Sequence, residues 1–196
     1  MRLVIPFLAG CVVAAASPAQ ALEFAVRGNA VFLSGVVKLG DNVKYDAFMA
    51  NAPAANARVF HLDSPGGTIG IALHIARDIR RRGGATVVDG RKACESACTL
   101  MFAGGATRHY VNTASLPDRL GGARGGLGFH EGNNANADGR GRQYSGGATA
   151  AMVNGYYEMG VGNAAQFATK AGHTGMYRVS GASALASGIA TSLSPP

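Results

Sequence analysis

The stretch from residue 57 to residue 81 most constrains the fold, because its hydrophobic pattern changes once and abruptly. Ala57-Arg58-Val59-Phe60-His61-Leu62 is a β-rich run, and it stops at Asp63-Ser64-Pro65-Gly66-Gly67. From Thr68 onward Ile71, Ala72, Ile75, Ala76 and Ile79 recur at helical spacing, with His74, Arg77, Asp78 and Arg81 away from that apolar face. Gly83-Gly84 ends the helix. A strand that passes through a glycine turn into an amphipathic helix calls for a sheet with helices packed on it.

The alternation continues on both sides. Phe24-Ala25-Val26-Arg27, Gly28-Asn29 and Ala30-Val31-Phe32-Leu33-Ser34 predict a β-hairpin. Residues 43–51 form a weak helix, 85–88 a short buried strand, 97–102 a helix ended by Gly104-Gly105, and 108–111 another strand. Residues 113–125 are expected to be a flexible loop, and Gly126-Leu127-Gly128-Phe129-His130 a short strand weakened by its glycines. The polar, glycine-rich residues 131–147 are expected to be a mobile loop. Helices follow at 148–159, 164–171 and 182–187. Strands alternating with helices argue an α/β layer architecture, with no internal repeat and no second domain.

Residues 1–21 carry one arginine, an apolar run too short to span a bilayer comfortably, and Ala19-Gln20-Ala21, the small-x-small pattern of a signal-peptidase site. The expected product is an exported protein, periplasmic or secreted, whose mature chain of residues 22–196 makes one domain with no transmembrane segment. Leu8-Ala9-Gly10-Cys11 also has the look of a lipobox, but the chain stays apolar after Cys11, so the cleaved soluble form is preferred over a lipoprotein. The formal charge is +7. Arg77, Arg80, Arg81 and Arg82 cluster, but no aromatic residues interleave with them, which argues against nucleic acid and for a solvated helix end.

The mature chain keeps Cys94 and Cys98, which in an oxidising compartment allow one intramolecular disulfide. Four helical residues apart, their Cα atoms would lie about 6 Å from each other, near the upper edge of disulfide geometry. The spacing is not that of a thioredoxin-like pair, and no set of zinc ligands stands nearby. No cofactor or metal is expected.

Between the cysteines lies Ser96, where a loop turns into a helix. There a hydroxyl is exposed, and free N–H groups favour developing negative charge. A serine at such a point is either a nucleophile or a plain helix cap. His130, at the end of a short strand, is the best-placed base, since neutral imidazole titrates near pH 6.5. The Gly66-Gly67 turn offers backbone N–H groups without side chains. His61 is expected to be structural, His74 and His109 solvated, and His173 lies in a loop with no motif around it.

Taken together, Leu62-Asp63-Ser64-Pro65-Gly66-Gly67 with its helix, the Ala93–Cys98 segment around Ser96, Ala103-Gly104-Gly105 and Gly128-Phe129-His130 resemble the Clp protease proteolytic subunit and its relatives on the crotonase-like fold. The resemblance runs from about Val31 to His130, then weakly to Gly188-Ile189-Ala190. It implies a single domain built as a repeated ββα spiral, an exported serine hydrolase acting on peptide or protein, and room for a homo-oligomer. It makes Ser96 the nucleophile, His130 the base, and the Gly66-Gly67 turn with Ala97 the oxyanion hole, the donors being the N–H groups of Gly67 and Ala97. The family's acidic residue would fall near Met176, but no Asp or Glu occurs after Glu158. The orienting group must then come from elsewhere, such as Asp138 or Glu158, or be missing. A catalytically inactive binding or scaffold protein of the same fold is the alternative.

Overall fold

The computed structural model describes residues 20–51, 53–135 and 141–196. Most of the expected leader and Asp138 lie outside them. The expected hairpin forms from β1 (Glu23–Arg27) and β2 (Ala30–Ser34), which pair antiparallel with Arg27 opposite Ala30. Helix α1 (Asp41–Met49) follows, and then β3 (Val59–Asp63). Helix α2 (Ile69–Arg81) leads to β4 (Ala85–Asp89), β5 (Ala93–Glu95), α3 (Cys98–Ala103) and β6 (Thr107–Val111). The remainder comprises β7 (Arg119–Leu120), β8 (Gly126–Phe129), β9 (Asn133–Ala135), β10 (Arg142–Tyr144), α4 (Gly146–Glu158), α5 (Ala165–Ala168), β11 (Tyr177–Arg178) and α6 (Gly181–Ala186).

These elements build two sheets. The larger has the order β1-β2-β3-β4-β6 and is parallel from β2 onward, while the smaller runs β5-β8-β11-β7. Ser64 joins them: its N–H donates to the Ala93 carbonyl at 2.6 Å and its carbonyl accepts from Glu95 at 3.0 Å. Successive passes of the chain give the large sheet a strand, turn onto the small sheet, and return by a helix, as β4-β5-α3 shows. That is the repeated ββα spiral expected above. Tyr110 fastens the two sheets, donating to the Val179 carbonyl and accepting from the Leu127 N–H, both at 3.1 Å.

The core lies between the large sheet and the helices. Ala72, Ile75, Ala76 and Ile79 of α2 are fully buried, each isoleucine contributing about 1.5–3 kcal/mol by the area it removes from water. Asp78 departs from the expected pattern, because it is buried too. It accepts from the Tyr45 hydroxyl at 2.8 Å and pairs with Arg82 at 2.5 Å and with Arg81. Burial beside this carboxylate pushes the Tyr45 phenol well up, so it stays a donor. The arginine cluster is likewise engaged rather than merely solvated. Arg80 donates to the carbonyls of Ala103, Gly104 and Met159, and Arg77 forks onto Glu158.

Two segments expected to be loops contain strands. Residues 113–125 include β7, held by pairing with β11, and residues 131–147 include the β9-β10 hairpin. Both gain their order from pairing, which a polar, glycine-rich composition does not announce. Among the described residues no helix is long and apolar enough to cross a membrane.

Candidate active site

Parallel pairing of β5 with β8 sets Glu95 opposite Gly128. The pairing continues one step further, as the Ser96 N–H donates to the Gly128 carbonyl at 2.8 Å. Ser96 therefore leaves the end of one strand while His130 leaves the end of its neighbour, two residues beyond Gly128. Ser96 takes a left-handed backbone, φ +54°, uncommon for a residue with a Cβ. Such a kink turns the side chain out of the strand register and costs on the order of 1 kcal/mol, which the surroundings must over-determine.

The determinants are visible. The Ser96 carbonyl accepts from the Thr99 N–H at 2.9 Å and from Thr99 Oγ1 at 2.6 Å. Thr99 Oγ1 in turn accepts from the buried Tyr156 hydroxyl of α4 at 2.6 Å. The disulfide between Cys94 and Cys98 brackets the kink, with the Cα atoms 5.1 Å apart. Cys94 ends up on a strand and Cys98 on a helix, so the separation is shorter than two helical positions would give. Among the described residues the Ser96 hydroxyl has no hydrogen-bond partner, and it lines a cleft of about 980 Å³.

Gly66 and Gly67 line the same cleft. A Cβ on Gly66 would stand 2.5 Å from the Glu95 carbonyl oxygen and 2.8 Å from the Ala97 nitrogen, so only glycine lets the turn lie against the serine. A Cβ on Gly67 would meet the Val37 carbonyl oxygen at 2.1 Å. Val37 bridges this turn, donating to the Gly66 carbonyl and accepting from Thr68, both at 2.9 Å. The N–H groups of Gly67 and Ala97 have no acceptor among the described residues. Gly67 lines the cleft together with Ser96, whereas Ala97, the next residue in the chain, is fully buried.

His130 lines the same cleft and is 7 % exposed. Its Nδ1 is bonded to the carbonyl of Glu131, which fixes the tautomer: Nδ1 carries the proton and Nε2 keeps the lone pair. Burial lowers its pKa below the ordinary value, so the ring is a neutral base at neutral pH. The Glu131–Gly132 segment is itself tied down. Glu131 donates to the Ala171 carbonyl at 3.2 Å, and the Gly132 N–H donates to Thr149 Oγ1 of α4 at 2.9 Å.

Of the two suggested orienting acids, Asp138 lies outside the described residues, and Glu158 does not line the cleft. Glu158 stands at the surface, paired with Arg77 at 2.6 Å. Met176 lines the cleft where the resemblance would have placed an acid. Three other lining residues escaped the sequence. His173, Arg124 and Arg142 come from separate loops and strands that only the tertiary fold brings together, and no motif marks them. Of the remaining histidines, His61 stacks on Phe32 at 4.5 Å, as a structural role requires. His74 pairs with Asp46 at 2.8 Å, and His109 Nδ1 bonds the Ser194 carbonyl at 2.7 Å. Among the described residues no group of three or more His, Cys, Asp or Glu could hold a metal ion.

No protein-family model and no curated protein matches the chain. Solved structures do. A mutant of the 1510-N membrane-bound stomatin-specific protease aligns with a TM-score of 0.57 at 15 % identity, over 84 % of this chain and 77 % of that one. A second mutant of that protease, in complex with a substrate peptide, aligns with a TM-score of 0.52 at 18 % identity, over 84 % and 73 %. A putative enoyl-CoA hydratase/isomerase from Novosphingobium aromaticivorans gives a TM-score of 0.49 at 12 % identity, over 89 % and 65 %. The chain has the Clp protease/crotonase fold.

Proposed function

We propose that the protein is an exported serine hydrolase that cleaves peptide bonds, with Ser96 as nucleophile and His130 as general base. The observation that carries this reading is one cleft holding a kinked serine with an unengaged hydroxyl, a neutral histidine of fixed tautomer, and the unengaged N–H of Gly67. Ser96 Oγ attacks the scissile carbonyl carbon while its proton passes to His130 Nε2. The carbonyl oxygen becomes an oxyanion that receives the N–H groups of Gly67 and Ala97. Collapse of the intermediate breaks the C–N bond, and Nε2–H returns the proton to the departing amine. Water, activated by the same nitrogen, then releases the acyl group from Ser96.

In place of a triad carboxylate the Glu131 carbonyl holds the imidazole. It sets the tautomer but carries no full charge to stabilise the imidazolium, so turnover is expected to be slower than that of a complete triad. Export to the periplasm or beyond rests on the leader pattern of residues 1–21 and on a disulfide beside the nucleophile. The Met176 position favours a second reading, an inactive binding protein of the same fold. A fluorophosphonate probe separates the two. The hydrolase reading expects the probe to attach to the wild type at Ser96, attachment to disappear in Ser96→Ala, and its rate to fall at least a hundredfold in His130→Ala. An unlabelled wild type, or equal labelling of Ser96→Ala, contradicts it.

A further inference from the structure

Resting on the hydrolase reading, we infer that the preferred substrate is a peptide carrying a carboxylate close to the scissile bond, bound by Arg124 and Arg142. Several surface cations are matched by carboxylates: Lys44 with Asp41, Arg77 with Glu158, Arg91 with Asp89, and Lys92 with Asp63. In the cleft the described cations outnumber the acids. Among the described residues lining it, Glu95 is the one acid, and it is 6 % exposed. Its charge is met from below by Arg178, itself buried, at 2.8 Å, and again by Arg124 at 3.5 Å. One carboxylate thus serves two guanidinium groups, which leaves Arg124 in electrostatic surplus at the rim.

Arg142 reinforces that surplus. It stands on β10, held by a 2.9 Å hydrogen bond to the Asn133 side-chain oxygen, a neutral partner. Its field reaches His130, where it opposes a positive charge on the ring. A substrate carboxylate seated against Arg142 would do two things at once. It would be held by charge-assisted hydrogen bonds, and it would relieve the repulsion felt by the imidazolium that forms when Ser96 gives up its proton. The apolar lining from Ile69, Met152 and Met176 leaves the neighbouring subsites for aliphatic side chains. The carboxylate is either an acidic side chain or the free C-terminus of a short peptide.

The test uses paired peptides that differ in one group: Glu against Gln near the cleavage point with the C-terminus amidated, and free acid against amide at the C-terminus of a neutral peptide. The inference expects kcat/KM to favour the carboxylate member of at least one pair by roughly fivefold at low ionic strength, the size of two surface ion pairs. It expects that ratio to shrink in 0.5 M salt and to invert in Arg142→Glu. Ratios near one in both pairs for the wild type, with turnover and probe labelling present, overturn the inference and leave the hydrolase intact. A ratio unchanged in both Arg142→Glu and Arg124→Glu overturns it as well. Absence of any labelling or turnover in the wild type overturns the hydrolase reading itself.

Discussion

At the scale of single residues, the site depends on which nitrogen of His130 keeps its lone pair. The bond from Nδ1 to the Glu131 carbonyl settles this as Nε2, and burial keeps the ring neutral by lowering its pKa below the ordinary 6.5. A base is active when unprotonated, so activity falls as pH drops through the folded-state value. The acid limb of fluorophosphonate labelling is therefore expected to have its midpoint below 6.5. A midpoint above 6.5, as a triad carboxylate would produce, contradicts the carbonyl-oriented dyad. The same shift bears on stability. Between 6.5 and the lower folded value the unfolded chain binds a proton that the folded chain refuses, so stability declines as pH falls through that window. Ser96, His130 and the glycines were legible in the sequence because each occupies a turn or strand end with a chemical reason to be there. The Glu131 carbonyl was not, since a backbone atom leaves no mark in a list of side chains.

At the scale of elements, β5 and α3 hold Ser96 between two cysteines, and the disulfide closes a loop of five residues. Chain-entropy arithmetic for a loop that short gives about 2 kcal/mol. Reduction, or paired replacement of Cys94 and Cys98 by serine, is expected to lower unfolding stability by about that amount in a denaturant titration and to slow labelling of Ser96. Unchanged stability and rate in the reduced protein would show that the bridge does not hold the kink. The hairpin β1-β2, helix α2 and strands β3, β4 and β6 are strongly patterned and were readable from the sequence. β7 and β11 are two residues each, β5 three, and β9-β10 lies among glycines and asparagines. Segments that short show no period, and only pairing defines them. Asp78 was misplaced for a related reason. Helical spacing put it outside the apolar stripe, but Tyr45 and two arginines make its burial tolerable by neutralising and bonding it.

At the scale of the whole molecule, α4 stands behind both halves of the site. Its Tyr156 reaches Ser96 through Thr99, and its Thr149 holds Gly132 beside His130. One helix thus braces the segments that carry Ser96 and His130, although the two residues follow different strands. Tyr156→Phe keeps the ring and removes the hydroxyl. It is expected to cost about 1 kcal/mol of stability and to slow probe labelling severalfold per reactive serine, counted by mass spectrometry. A rate per reactive serine equal to wild type would limit Tyr156 to packing. The arrangement as a whole is tested most directly by a crystal structure of the fluorophosphonate-treated protein. The account predicts phosphorus bonded to Ser96 Oγ, with its oxygen about 2.7–3.1 Å from the nitrogens of both Gly67 and Ala97 and with His130 Nε2 facing the serine oxygen. An adduct on another residue, or a phosphoryl oxygen turned away from those two N–H groups, contradicts it.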